Sequence, residues 1–279
     1  MKNFNGKVAA ITGAGSGMGR ELALQLAARG CNLSLSDVNE KGLAETVALL
    51  SGSKVKVTHA RFDVANREAV FAWADATARE HGKVNLIFNN AGVGLGATVD
   101  GMSYKDFEWL MNINFWGVVH GTKAFLPHLK AAGEGHVINT SSVFGLIGVP
   151  SQSAYNAAKF AVRGFTESLR MELDMEACGV SATSVHPGGI KTNIAKDARM
   201  DASIESLGMD AKASSTEFEK NFITTAGRAA EIIIKAVEGN KRRVLVGPDA
   251  YVVDLMARLL PSLYQRLVIR FSRAKMGAK

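Results

Sequence analysis

Short apolar runs alternate with helix-period segments along most of this 279-residue chain, and that alternation restricts the fold more than any single motif does. Strand-like runs occupy residues 7–12, 32–37, 54–62, 85–88, 137–140, 180–185 and 243–246. Helical periodicity begins after the first glycine cluster at Arg20, returns over 39–50, 66–81 and 104–129, resumes at Ser153, and reappears over 226–238. Phe71, Ala74 and Ala78 are expected on the core face of the 66–81 helix, and Gly179 is expected to close the helix that starts at Ser153. Apolar strands separated by helices pair in parallel through right-handed crossovers, with helices on both faces. The expected class is therefore α/β with a doubly wound parallel sheet. A hydrophobic content of 47% can fill such a core and argues against disorder.

Ligands of such sheets bind beyond the carboxyl ends of the strands, and every unusual glycine or polar cluster falls there. After the first strand comes Thr12 to Gly19, with Gly13, Ser16, Gly17, Met18 and Gly19 expected to face a cofactor. Its Gly-x-x-x-Gly-x-Gly spacing differs from the usual Gly-x-Gly-x-x-Gly fingerprint, but it too lies between a strand and a helix. Glycines let backbone approach a ligand, and the helix N-terminus offers N–H groups to a pyrophosphate. Asp37 ends the second strand, 18 residues beyond Gly19. It suits the adenosine ribose hydroxyls and repels a 2′-phosphate, which favours NAD over NADP; its other reading is a cap for the next helix. Asp63 and Val64, Asn90, Ala91 and Gly92, Ser142, and the stretch from His186 to Thr192 occupy the remaining ends.

Within the helix from Ser153, Tyr155 and Lys159 stand four apart and so share one face. A cation beside a phenol favours the phenolate, and a phenol tuned toward neutrality can exchange a proton with a carbonyl or alcohol oxygen. Ser142 is placed to hydrogen-bond that oxygen. Asn112 and Asn114 fall inside the long 104–129 segment, either as packed amides or as a distortion that holds a water. Residues 193–222 read as a substrate lid or as a surface excursion.

Composition excludes other classes. Two cysteines, Cys31 and Cys178, without paired spacing give no disulfide framework and no zinc site. The first residues lack the apolar core of a signal peptide and no run nears twenty apolar residues, so a cytoplasmic protein is expected. The net charge of +7 accompanies no nucleic-acid motif, and no nucleic-acid partner is expected. In the tail, leucines recur at 255, 259, 263 and 267 beside Arg258, Arg266, Arg270, Arg273 and Lys275, and Pro261 should divide two helices. That pattern fits packing on its own domain or a partner subunit, or a peripheral membrane contact.

The set Thr12-Gly13-x3-Gly17-x-Gly19, Asn89-Asn90-Ala91-Gly92, Asn114, Ser142, Tyr155-x3-Lys159 and Pro187-Gly188 resembles the short-chain dehydrogenase/reductase family, closely over residues 7–192 and loosely over 225–247. The resemblance implies one Rossmann-type domain with a seven-stranded sheet over 1–248, the lid at 193–222, and a C-terminal amphipathic helical extension over 249–279. It implies a catalytic tetrad of Asn114, Ser142, Tyr155 and Lys159, with Ser142 preferred to Ser141 by its thirteen-residue spacing to the tyrosine. It assigns Asp63 and Val64 to adenine, Asn90 with Ala91 and Gly92 to the cofactor cleft, Tyr155 and Lys159 to the nicotinamide side, Ile190 and Thr192 to the nicotinamide carboxamide, and Pro187 and Gly188 to cofactor binding. The implied activity is hydride transfer between NAD(H) and a secondary alcohol or ketone, with Lys159 on the nicotinamide ribose and Asn114 holding a relay water. A bulky lipophilic substrate suits the Met-rich, apolar lid and tail. An NADP-dependent carbonyl reductase and a non-catalytic nucleotide-binding protein are the alternatives. Family habit implies a homodimer or homotetramer through the helices around 104–129 and 153–177.

Overall fold

The computed structural model describes residues 1–210 and 222–277. Its centre is a seven-stranded, all-parallel sheet. The strands are β1 (Val8–Thr12), β2 (Asn32–Asp37), β3 (Val57–Arg61), β4 (Leu86–Asn89), β6 (Gly135–Thr140), β7 (Val180–Pro187) and β11 (Arg243–Val246). The four remaining strands are two-residue pieces: β5 (Leu95–Gly96) pairs with β9 (Arg199–Met200), and β8 (Ile190–Lys191) pairs with β10 (Thr224–Thr225). The order β11-β7-β6-β4-β1-β2-β3 turns back at β1, so the crevice between the carboxyl ends of β1 and β4 is the topological switch point. Register places Ala9 beside Leu33 and Leu86, and His136 beside Leu86 and Ser181.

Successive strand residues feed opposite layers, as the pleat requires. Ala9, Ile11, Leu86, Phe88 and Ile138 pack with Leu22 and Leu26 of α1 (Gly17–Ala27) and with Ile233 and Ile234 of α7 (Ala226–Glu238). Ala10, Ile87 and Val137 face the other way. They pack against α3 (Arg67–His81), α5 (Gly117–Ala131) and α6 (Ser153–Glu176), through Trp73, Phe125 and Leu169. The Trp73 indole stands edge-on to Phe125 at 4.9 Å and donates to Ser34 Oγ at 2.9 Å, so even this buried N–H is satisfied. Asparagines set the helix starts: Asn39 caps α2 (Glu40–Leu49) and Asn66 caps α3, each side chain accepting the backbone N–H three residues on.

Three local expectations change. Phe71 is exposed, and the buried face of α3 is Val70, Trp73, Ala74 and Thr77; at 100° per residue Phe71 lies roughly 110° from the centre of that stripe. Gly179 does not close α6. Ala177 takes the left-handed turn itself (φ 52°), while Gly179 (φ 74°) is required because a Cβ there would meet the Gly133 carbonyl oxygen at 2.3 Å. The 104–129 segment is not one regular helix but α4 (Tyr104–Met111), a π-helical turn (Asn112–Trp116) and α5. Asn114 sits in that turn.

The tail is two helices divided around Pro261, α8 (Pro248–Leu259) and α9 (Tyr264–Gly277). Both rest on the domain. Ala250 is buried, Arg243 on β11 pairs with Asp254 at 2.6 Å, and the Gly148 N–H donates to the Tyr264 phenol oxygen at 3.0 Å. Of the 193–222 segment, 193–210 holds β9 and a 3-10 turn (Ala202–Leu207) whose Ile204 is buried; the rest of the expected lid, 211–221, lies outside the described residues. Among the described residues no helix is long and apolar enough to cross a membrane.

Candidate active site

Two joined cavities lie at the switch point. One, of about 420 Å³, is lined by Gly13, Ser16, Gly17, Met18, Asp37, Asp63, Val64, Asn90, Ala91, Gly92 and Thr192. The other, of about 320 Å³, is lined by Ser142, Tyr155, Lys159, Pro187, Gly188 and Ile190, with apolar walls from Leu95, Phe144, Met200 and Val253. Met18, Asn90, Gly92 and Thr192 border both. Two expected residues line neither: Gly19 and Asn114. Gly19 is buried where a Cβ would clash with the Gly13 carbonyl oxygen at 2.0 Å, so its part is to let α1 pack under the loop.

The glycine loop is held from outside. Gly13 and Gly17 adopt positive φ (66° and 50°), which favours glycine. The Gly15 N–H donates to Asp37 Oδ2 at 2.8 Å, while Asp37 Oδ1 accepts from Asn39 N at 2.9 Å. The carboxylate thus ends β2 and braces the loop, while the cap of α2 is Asn39 and not Asp37, which only accepts the Asn39 N–H. Arg20, which the motif does not single out, locks the loop to α2 by donating to the carbonyls of Gly15 and Gly42, to Thr46 Oγ1 and to Glu45. Across the crevice Thr12 Oγ1 accepts the N–H groups of Asn90 and Ala91 at 3.0 and 3.1 Å. The Asn90 amide donates to Thr12 O at 3.1 Å, and its Oδ1 is buried without a partner. A glycine cradle and a carboxylate at the end of β2, with an unsatisfied buried amide oxygen on Asn90, which borders the crevice, fit a dinucleotide.

Ser142 and Tyr155 meet at the second cavity. Ser141 Oγ is spent on the Lys159 carbonyl at 2.7 Å, which ties α6 to the end of β6. Ser142 instead lines the cavity beside Tyr155, while its Oγ accepts the Phe144 N–H at 3.1 Å. Lys159 Nζ donates to Thr140 O at 2.9 Å and lies 5.5 Å from the Tyr155 ring centroid. Burial pushes the phenol up to about 12, against the lowering pull of Ser142, and brings the Lys159 ammonium down to about 8. The sequence pointed to a phenol lowered by its lysine; in this arrangement loss of hydration prevails and raises it. Asn114 spends its amide on the loop after β4, accepting from Val93 N and donating to Val93 O, both at 2.8 Å. It stands behind Gly92, where a Cβ would sit 3.2 Å from Asn114 Oδ1 and 3.6 Å from Lys159 Nζ.

Two supporting residues escaped the motif reading. His186 Nδ1–H donates to the Ser142 carbonyl at 3.1 Å and Nε2 accepts from Ser184 Oγ at 3.0 Å; burial pushes it down to about 4, which keeps it neutral. Asp249, at the carboxyl end of β11, accepts the Gly189 N–H at 2.6 Å and borders the second cavity. The rule that ligands gather beyond strand ends applies to β11 as well, and would have found it.

Comparison with known proteins agrees with this geometry. The family model described as short chain dehydrogenase matches residues 7–203. SadH of Mycobacterium tuberculosis, named as an oxidoreductase, is 49% identical over 269 residues, covering 96% of each chain. A short-chain dehydrogenase/reductase from Burkholderia phymatum, solved in complex with NAD, superposes with a TM-score of 0.85 at 34% identity, over 92% of this chain and 95% of that one. Levodione reductase superposes with a TM-score of 0.76 at 29% identity, over 89% and 99%. Sheet order, crevice and sequence therefore converge: this chain belongs to the short-chain dehydrogenase/reductase family of oxidoreductases.

Proposed function

We propose that the protein is an NAD-dependent dehydrogenase or ketone reductase acting on a bulky, lipophilic secondary alcohol or its ketone. The observation that carries this is the convergence of Ser142 and Tyr155 on a mostly apolar cavity, beside a buried lysine. Asp37 at the end of β2 supports NAD, because a carboxylate there repels a 2′-phosphate. The solved relative from Burkholderia phymatum holds NAD.

Bound nicotinamide supplies the hydride acceptor or donor. Ser142 donates a hydrogen bond to the substrate oxygen and fixes it against Tyr155. In oxidation Tyr155 Oη takes the hydroxyl proton, and in reduction it returns one to the forming alkoxide. The Lys159 ammonium stabilises the phenolate between those events, and Thr140 O holds that ammonium in place. His186 fixes the Ser142 main chain, and Asn114 fixes the wall at Val93. Apolar walls from Leu95, Phe144, Met200 and Val253 exclude water and select carbon-rich substrates. Copies assemble as a homodimer or homotetramer through α4, the π-helical turn, α5 and α6, which expose Tyr104, Trp116, Phe160 and Met171.

The test follows reduced nicotinamide by absorbance, with NAD and NADP in parallel and secondary alcohols graded from small to steroidal. NAD reduction that rises with alcohol size is expected, and Tyr155→Phe should lower it by about 10² or more while NADH binding persists. Unchanged turnover in Tyr155→Phe removes the tyrosine from the chemistry; faster turnover with NADP removes the Asp37 argument.

A further inference from the structure

The charge of the chain is not spread evenly. Residues 255–279 contain six Lys and Arg and no Asp or Glu, so they account for six of the seven net positive charges. The same helices carry apolar side chains on the outside. Of nineteen exposed large apolar residues among the described ones, eight lie between Tyr251 and Phe271, a density the rest of the surface does not approach. Tyr251, Leu255, Leu259, Leu263 and Leu267 recur every fourth residue, with Val252 beside them, and each of these six is between 44% and 68% exposed. Fourfold spacing makes Tyr251, Leu255 and Leu259 one row on α8, and Leu263 in the following turn and Leu267 on α9 extend the exposed apolar surface past Pro261. The half-buried faces of α9 lie elsewhere, at Tyr264 and Val268. Arg266, Arg270 and Arg273 are exposed along the flank of the row.

We infer that α8 and α9 form a docking surface for an anionic phospholipid bilayer. An apolar row flanked by arginines suits an interface that is apolar below and negative at the headgroup level. A second copy of this chain fits less well. A twofold contact through α9 sets the same patch against itself, bringing the cluster of Arg266, Arg270 and Arg273 against its own copy and leaving like charges without carboxylates to meet. A soluble polyanion satisfies the arginines but not the leucines.

The placement has a consequence for the pocket. Val253 and Asp249, on α8, border the cavity that holds Tyr155, and Tyr264 at the start of α9 holds Gly148 in the loop after β6. Docking through these helices sets the substrate cavity close to the bilayer, where a lipophilic alcohol partitions. The surface itself does not depend on the catalytic reading, because docking is read without turnover.

The experiment is co-sedimentation of the full-length protein with vesicles of pure phosphatidylcholine and of phosphatidylcholine with 30% phosphatidylglycerol, the composition being about that of a moderately anionic membrane. The wild type should pellet with the anionic vesicles and be released by high salt. Arg266→Gln/Arg270→Gln/Arg273→Gln should weaken binding roughly 100-fold, and Leu255→Ser/Leu259→Ser at least about tenfold. Both variants change exposed side chains; circular dichroism and NADH binding confirm that they fold. The inference is overturned if the wild type stays in the supernatant with anionic vesicles. It is overturned equally if the leucine variant binds as the wild type does, which marks a soluble-polyanion site. It also falls if either variant dissociates an oligomer on size exclusion while vesicle binding is unchanged, which marks the row as a subunit interface.

Discussion

At the residue scale the site is a set of hydroxyl, amine and carboxylate groups whose behaviour is set by burial. Tyr155 at about 12 and Lys159 at about 8 are both displaced toward their neutral forms, as loss of hydration requires. Alcohol oxidation needs the phenolate, so turnover in that direction should rise with pH. Removing the nearby cation raises the phenol further, and the rise in Lys159→Met should therefore move to higher pH. A pH–rate profile that is superimposable in the two proteins contradicts that role. Asp37 was legible because the motif places a carboxylate at the end of the second strand. Its double duty, bracing Gly15 and Asn39, was not, because backbone hydrogen bonds across a turn leave no pattern in the sequence. Asp37→Ala should narrow the ratio of kcat/KM for NAD over NADP by at least about tenfold, a few kcal/mol at most being at stake between the two cofactors. An unchanged ratio rules out the ribose contact.

At the element scale β6 and β7 bury histidines where strands usually place apolar residues. His136 is bonded to Thr183 Oγ1 at 2.7 Å, and burial pushes it down to about 3; His186 behaves alike at about 4. Above about pH 6.5 both are neutral folded and unfolded, and their contribution to stability is constant. Below it the unfolded chain binds protons that the native chain refuses, so stability falls as pH drops from about 6.5 toward 4. At pH 5 the loss is about 2 kcal/mol per histidine. Urea midpoints at pH 7 and pH 5 check this, and His136→Gln should flatten roughly half of the difference. Equal slopes in both proteins exclude His136. Strand and helix existence was legible from period, but α3 shows its limit: Phe71, Ala74 and Ala78 look like a face, yet the sheet sees Val70, Trp73, Ala74 and Thr77. The break of the long 104–129 segment at Asn114 was legible only as an oddity. Which carbonyl and amide the asparagine captures depends on Val93, 21 residues away.

At the scale of the whole molecule the tail reaches the candidate active site. Val253 lines the cavity that holds Tyr155 while Asp254 on the next position ties α8 to β11. Val253→Trp should therefore raise KM for bulky alcohols by about tenfold or more and leave NADH affinity unchanged, since the cofactor crevice lies on the far side of Met18. Equal KM values place the substrate elsewhere.

The alternation of apolar strands with helices, the glycine loop, Asp37 and the Tyr155–Lys159 spacing determined the parallel sheet and the edge on which the site lies. These are local signals, and chirality leaves few ways to assemble them. The thirteen-residue spacing already preferred Ser142, and the tertiary structure supplied the reason, because Ser141 Oγ donates to the Lys159 carbonyl while Ser142 lines the cavity beside Tyr155. Tertiary structure alone joined Asp249 and Val253 to a pocket whose Tyr155 and Lys159 lie ninety or more residues earlier, and it alone set the phenol up and the lysine down, since burial is a property of the folded surroundings and not of the residue.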